Sequence, residues 1–113
     1  MDSILTSIKE MVGIEEEVTR FDPDLIVHIN SVFADLHQLG VGPKEGFAIE
    51  DDIPVWTDFI SDIVTMNNVK TYMYLRVKLL FDPPVNSAVI NSLQQAADKY
   101  EWRLNVAAET PDS

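Results

Sequence analysis

Imidazole is the side chain that most readily exchanges a proton near neutral pH, and this sequence has two, His28 and His37. Asp24 lies four residues before His28 and Asp35 lies seven after it, a spacing that puts all three on one side of a helix. An imidazole with two carboxylates could begin a metal site. No completing ligand is evident, however, and a polar outer face with incidental acid–imidazole contacts explains the pattern better.

Other catalytic patterns are missing from the sequence. There is no cysteine, which excludes thiolate nucleophiles, thiolate metal sites and disulfides. There is no HExxH motif, GxSxG elbow or phosphate-binding lysine loop, and the glycines of residues 40–46 neither follow a strand nor open a helix. Asp51 and Asp52 are adjacent, so their carboxylates point apart in extended chain, and helix capping is their expected role. We therefore expect no enzyme, no cofactor and no metal site.

The charge is strongly acidic. Nineteen acids and eight bases give a formal net charge of −11, so phosphate backbones would be repelled. Acids cluster at residues 15–17 and 50–52, which a solvated surface would explain, whereas Lys70, Arg76 and Lys78 lie in an acid-free stretch between Asp62 and Asp82. With 113 residues, 46% of them apolar, the chain fits one folded domain. No secretory signal or membrane span is expected, because the N-terminus has no basic leader and no apolar run is long enough.

The apolar periodicity predicts helices and one long loop. A short amphipathic helix is expected over residues 3–12, and a second begins near Asp22 as the cap with Pro23 at its first position. The apolar stripe of this second helix runs from Leu25 to Leu39, and Gly40 ends it. Residues 40–53 form a glycine-containing loop, with a short extended piece at residues 47–49.

Three further helices are predicted after the loop. Pro54 opens a short helix with Trp56, Phe59, Ile60 and Ile63 on one face, and Asn67 or Asn68 caps the next helix, which ends near Phe81. That helix is apolar around nearly its whole circumference, so either this chain or a neighbour must bury it. The last helix runs from about Ser87 to Ala107 or Ala108, with a core-facing stripe of Val89, Ile90, Leu93, Ala96, Ala97, Tyr100 and Leu104.

The sequence "FDPP" at residues 81–84 separates the last two helices. Proline cannot continue a helix and restricts the residue before it, so the two helices become antiparallel neighbours around a Pro-Pro corner. The predicted fold class is therefore all-α, a compact bundle of about five helices. Residues 1–108 form the single domain and residues 109–113 a polar tail.

The last helix also has an exposed aromatic residue. Trp102 lies about 160° from Leu104 on the helical wheel, with Val106 and Arg103 near it. A lone surface tryptophan needs no explanation. Next to an all-round apolar helix, however, it indicates a face that a second protein covers, and Trp102, Arg103 and Val106 are candidate interface residues.

Several stretches resemble, in the same order, the small head–tail connector proteins of phages and prophages of Gram-positive hosts. The resemblance covers roughly residues 4–109 and is carried by these pieces: "FDPDLIVHINSVFADLHQLGVGP" (21–43), "WTDFI" (56–60), "VKTYMYLRVKLLFDPP" (69–84) and "EWRLNVAAE" (101–109).

The resemblance implies a structural adaptor without catalytic residues. It would form a ring beneath the portal, typically dodecameric in the virion, extend the DNA channel and dock neck or tail-completion proteins. The resemblance is also compatible with a monomer in isolation. It implies a location in the virion neck, with assembly in the host cytoplasm, and DNA passing without specific binding. The loop resembles a segment that reaches a neighbour, which adds Phe47 and Ile49 to the candidate interface.

Two alternatives to a phage connector remain open from the sequence. The first is a monomeric acidic inhibitor whose carboxylates imitate DNA phosphates and occupy a DNA-binding protein, which a net charge of −11 permits. Such an inhibitor would have its acids on one side. The second is a helical adaptor with no connection to phages.

Overall fold

The chain folds into five α-helices in a computed structural model that describes residues 3–109. They are α1 (Ile4–Met11), α2 (Asp22–Gln38), α3 (Trp56–Phe59), α4 (Ile63–Phe81) and α5 (Ser87–Glu109). Within the described residues, β structure is limited to one isolated antiparallel bridge between Ser3 and Val55. The predicted all-α class is confirmed. Helix α5 extends through Glu109, the first residue of the expected tail, and the remainder of that tail lies outside the described residues.

Helix α4 is the central element of the fold. It packs against α2 on one side and α5 on the other, and α1 packs against α2. The molecule measures 44 × 35 × 20 Å, so its thin dimension is about two helix diameters. The largest fully buried side chains are Trp56, Tyr72, Phe33, Ile4, Ile8, Leu25, Ile29, Leu36, Ile49, Met73, Leu104 and Val32.

Helix α2 follows its predicted stripe, but its beginning differs from the prediction. The stripe from Leu25 to Leu36 is buried. The helix begins at Asp22 itself, with Phe21 as the N-cap residue and no side-chain cap. The prediction that Asp22 caps the helix is therefore wrong. The physical reason is tertiary, because the Asp22 carboxylate pairs with Lys9 of α1, whose Nζ lies 3.0 Å from Oδ1.

Lys9 is buried, at 3% exposure, and its ammonium group organises the link between α1 and α2. Nζ donates to the carbonyls of Glu16 (2.9 Å) and Val18 (2.6 Å) and forms the ion pair with Asp22. A buried ammonium is tolerated only when it is paired and hydrogen-bonded, and here two carbonyls accept from it while Asp22 supplies the opposite charge. The acidic segment 15–17 is therefore held by its backbone, while its carboxylates stay in solvent.

Helix α4 begins earlier than predicted. Asp62 is its N-cap, and the Asp62 carboxylate accepts hydrogen bonds from the hydroxyl (2.6 Å) and the backbone N–H (2.9 Å) of Thr65. These bonds, the side-chain one first, lower the pKa of Asp62. The predicted cap at Asn67 or Asn68 is wrong, since both residues lie inside the helix. Ile63 consequently belongs to α4, where its side chain is 69% exposed.

Helix α5 buries less than its apolar stripe predicts. Ala97 and Leu104 are its buried residues, whereas Val89 is exposed. Helix α5 packs chiefly against α4 and lies at the end of the series α1, α2, α4, α5. Because one neighbour covers only one line of side chains, the rest of the stripe is half-buried or open.

The loop of residues 40–53 is fixed by a side chain of α2. The Asn30 carboxamide donates to the carbonyl of Ile49 (2.9 Å) and accepts from its N–H (2.8 Å), so the backbone of Ile49 is satisfied as if it were paired with a strand. Phe47 packs its ring against Phe33, at 5.0 Å between centroids, and against Phe59 at 5.4 Å. The expected extended piece at residues 47–49 therefore docks on the core without forming a strand.

We expect Gly42→Ala to destabilise the fold by about 2–4 kcal/mol. Gly42 has φ +93°, and an added Cβ would lie 2.3 Å from Cε1 of Phe59, whose ring is held by its aromatic neighbours. The matched control is Gly13→Ala, because Gly13 has φ +84° but nothing within 4 Å of the added atom. The control should show the backbone strain alone, about 1–2 kcal/mol. Equal losses in urea unfolding would contradict this packing of Phe59.

Lys9→Met should destabilise the fold by about 3–5 kcal/mol. The substitution keeps an apolar stem but leaves Asp22 without its counter-charge and two carbonyls without a donor. Lys44→Met, at an exposed position, is the control and should stay within about 0.5 kcal/mol of the parent. Thermal or urea unfolding measures both, and an equally mild effect of Lys9→Met would refute the role of its ammonium group.

Candidate functional site

The outward face of α5 brings together three of the predicted interface residues. Trp102, Arg103 and Val106 lie with Lys99 within an arc of about 100°, roughly opposite the buried Leu104. Trp102 is 63% exposed and Val106 is 38% exposed. We call Lys99, Trp102, Arg103 and Val106 the α5 strip.

The α5 strip is basic and aromatic on an acidic protein. Among the ion pairs of residues 3–109, none involves Lys99 or Arg103. The Arg103 guanidinium lies over the Tyr100 ring, 5.2 Å from its centroid, which orients it without neutralising it. A cationic strip with a large aromatic ring fits a partner surface of opposite charge.

Arg76 fixes the rotation of α5 and so the direction of the strip. Its Nη2 donates to Glu101 (2.7 Å) and Asp98 (3.2 Å) of α5, and its Nε donates to the Tyr72 hydroxyl (3.3 Å). Burial alone would lower the pKa of Arg76, but the bonds to Tyr72, Glu101 and Asp98 together raise it above its usual range. Burial raises the pKa of Tyr72, so the phenol stays protonated. Arg76 thereby holds the two α5 acids towards α4.

Two grooves flank these residues. The larger, about 560 Å³, lies between α2, α4 and α5, with Tyr72 and Arg76 among its lining residues. The smaller, about 250 Å³, is lined by Leu39, Asp98, Glu101, Trp102 and Asn105. One edge of Trp102 therefore borders a recess towards the end of α2, while most of its ring faces solvent.

Phe47 and Ile49, the other two predicted interface residues, lie apart from the α5 strip. Ile49 is 1% exposed and belongs to the core of its own chain. Phe47 is half-buried in the aromatic cluster with Phe33 and Phe59. The side chain of Ile49 cannot reach a neighbour in this conformation, because the Asn30 bonds hold the loop against α2.

A second exposed apolar region, which the sequence pattern did not predict, lies at the corner between α4 and α5. Leu80, Val85 and Val89 are all exposed there. The helical wheel assigned Val89 to the core. Because α4 is apolar around nearly its whole circumference, its pattern did not show that Leu80 would be exposed. Val85 could have indicated this region in the sequence, because it is an apolar residue in a connection that is too short to cover it.

The histidine pattern does not assemble a metal centre. His28 lies edge-on to Phe81, with 6.3 Å between ring centroids. Over residues 3–109, no three His, Cys, Asp or Glu side chains are grouped so that they could hold a metal ion. None of the helices in that range is both long enough and apolar enough to cross a membrane.

These features define a small all-α protein whose last helix has an exposed strip of aromatic and cationic side chains. The family model for phage connector proteins matches residues 4–111, and the chain belongs to that family. Comparison with curated proteins gives no match, and comparison with solved structures gives none either.

Family membership confirms the resemblance to head–tail connectors and indicates a structural connector role. It places the protein in the neck of the virion, where connectors contact the portal and neck components.

Trp102→Ala should leave folding nearly unchanged and weaken assembly by about 2–4 kcal/mol, because truncation removes a tryptophan that a partner would desolvate. The control is Trp56→Ala, since Trp56 is buried and its Nε1 donates to Ser7 Oγ (2.8 Å). That control should cost about 3–5 kcal/mol of folding stability. Urea unfolding and a binding titration separate the two effects. A large folding loss in Trp102→Ala would show that Trp102 acts within its own chain.

Proposed function

We propose that this protein is a subunit of a ring beneath the phage portal, where it extends the DNA channel and docks the next neck or tail-completion component. The α5 strip is the observation that carries the proposal. It offers a tryptophan and two cations, unpaired with carboxylates among the described residues, on the outward face of the last helix. Membership of the connector family supplies the context in which such a surface meets other proteins.

Excess exposed apolar surface also supports assembly. Besides the α5 strip, Ile63 and Val64 at the start of α4 and Leu80 near its end are exposed. Symmetric assembly buries such surface without any cofactor or reaction. A ring needs contacts on at least two sides of each subunit, and these residues lie at both ends of α4.

The acidic charge fits passage of DNA without retention. At a net charge of −11, each phosphate is repelled by the protein as a whole, so a channel wall of this composition would not bind the duplex tightly. The acids lie on several elements, with the clusters at residues 15–17 and 50–52 both in links between helices. The same charge is the basis of the DNA-mimic alternative, which the experiment below separates from the connector.

Phage assembled without this protein should yield filled or leaking heads that lack tails, because the head has no surface on which a tail can dock. Electron microscopy of lysates from a phage genome lacking this gene measures the outcome. Supplying the gene in trans is the control and should restore tailed particles. Normal tailed particles in the absence of the protein would rule the proposal out.

Binding assays then separate the connector from the DNA mimic. The connector should bind portal rings and should bind duplex DNA negligibly, even when salt is lowered from about 200 mM to 50 mM, where a phosphate-binding protein would gain affinity steeply. Tight one-to-one binding to a nuclease or a repressor, with no binding to portal rings, would support the DNA mimic instead.

A further inference from the structure

The chain carries a surface of opposite charge to the α5 strip. An open groove of about 390 Å³ lies between α1, the start of α2 and the loop. Its lining residues are Leu5, Thr19, Asp22, Pro23, Ile26, Glu50, Asp51 and Asp52. Ile53, which follows directly, is exposed. We call this the acidic groove.

The acids of the groove rim are free to pair with cations. Glu50, Asp51 and Asp52 are exposed, and no ion pair among residues 3–109 involves them. Asp51 Oδ1 accepts the backbone N–H of Ile53 (2.9 Å), which fixes the turn and leaves the rest of its carboxylate open. The rim of the acidic groove therefore offers negative charge beside the exposed aliphatic side chain of Ile53. This complements the α5 strip, which offers two cations beside a tryptophan.

The α5 strip and the acidic groove lie at opposite ends of the helix series. The groove is built on α1, α2 and the loop, and the strip is on the face of α5 turned away from its buried residues. Helices α2 and α4 lie between them in the series. One chain therefore presents two different, complementary surfaces. A contact between unlike surfaces of identical chains is heterologous, and it produces a ring when its rotation closes.

We infer that the α5 strip of one subunit docks in the acidic groove of the next copy of this chain. This inference rests on the proposed ring and identifies its subunit contact. Lys99 and Arg103 pair with the carboxylates of residues 50–52, and Trp102 packs on the apolar side chains around Ile53. Opposite charges set the register of the contact, and like charges at the same positions would prevent it.

Charge exchange tests the contact in the full-length protein during phage assembly. The strip variant is Lys99→Glu with Arg103→Glu, and the groove variant is Glu50→Lys with Asp52→Lys, which keeps the Asp51 turn. Each alone should lower the yield of tailed particles by about tenfold or more, because it places like charges in contact. The four substitutions combined in one chain should restore the yield to within about threefold of the parent. Circular dichroism and thermal unfolding verify that every variant folds.

A matched control changes the net charge equally at another acidic cluster. Glu16→Lys with Glu17→Lys alters two exposed carboxylates, while the backbone carbonyl of Glu16 still accepts from Lys9. This control should keep the yield of tailed particles. If it abolishes tails as the groove variant does, total charge is responsible and the inference fails.

Purified variants add an independent measurement. An equimolar mixture of strip and groove variants offers one intact contact and one charge-reversed contact, so sedimentation should detect alternating hetero-oligomers that neither variant forms alone. Two results would overturn the docking: normal tailed particles with each charge variant alone, or no rescue by the four substitutions combined. In either case, the absence of tails in the deletion phage would still be evidence for a connector. Duplex DNA binding by the parent that the strip variant loses would assign the strip to DNA and likewise overturn the inference.

Discussion

The rest of the structure depends on the burial of α4 from two sides. Val69, Tyr72, Met73 and Val77 are all buried, and α2 and α5 together supply the surfaces that cover them. Because α4 uses its own surface to hold two helices, α5 has one principal neighbour and keeps an open outward face. The exposure of the α5 strip is thus a consequence of how the core is filled. Arg76 then sets which side chains of α5 point outward, since it bonds two of its acids.

The sequence predicts best where a feature depends on periodicity. The α2 stripe and the outward direction of Trp102 both follow from the helical repeat, and both agree with the structure. The start of α4 does not follow from it, because Asp62 and Asn67 are both acceptable caps and the choice depends on Thr65. Likewise, capping preferences favoured Asp22 as the N-cap of α2. Its carboxylate instead pairs with the buried Lys9, thirteen residues earlier in the sequence.

The burial of apolar residues outside the central helices was harder to predict. A helical wheel gives the direction of Val89 but not the length over which a neighbouring helix covers it, so its exposure could not be read from the pattern. Ile49 has no periodic context, and its burial depends on an amide nineteen residues away. The candidate surface was accordingly predictable on α5, where direction suffices, and unpredictable in the loop, where tertiary hydrogen bonds decide.

The pairing of Asn30 with Ile49 has an evolutionary consequence. Both hydrogen bonds involve the backbone of Ile49, so they constrain the path of the loop without specifying the side chains that follow it. Substitutions at Glu50 and Asp52 can therefore change the charge of the rim while the chain continues from the same anchored point. Related proteins that keep the asparagine and a buried apolar residue opposite it would be able to diversify the chemistry of this rim, and with it the partners they accept, without redesigning their core.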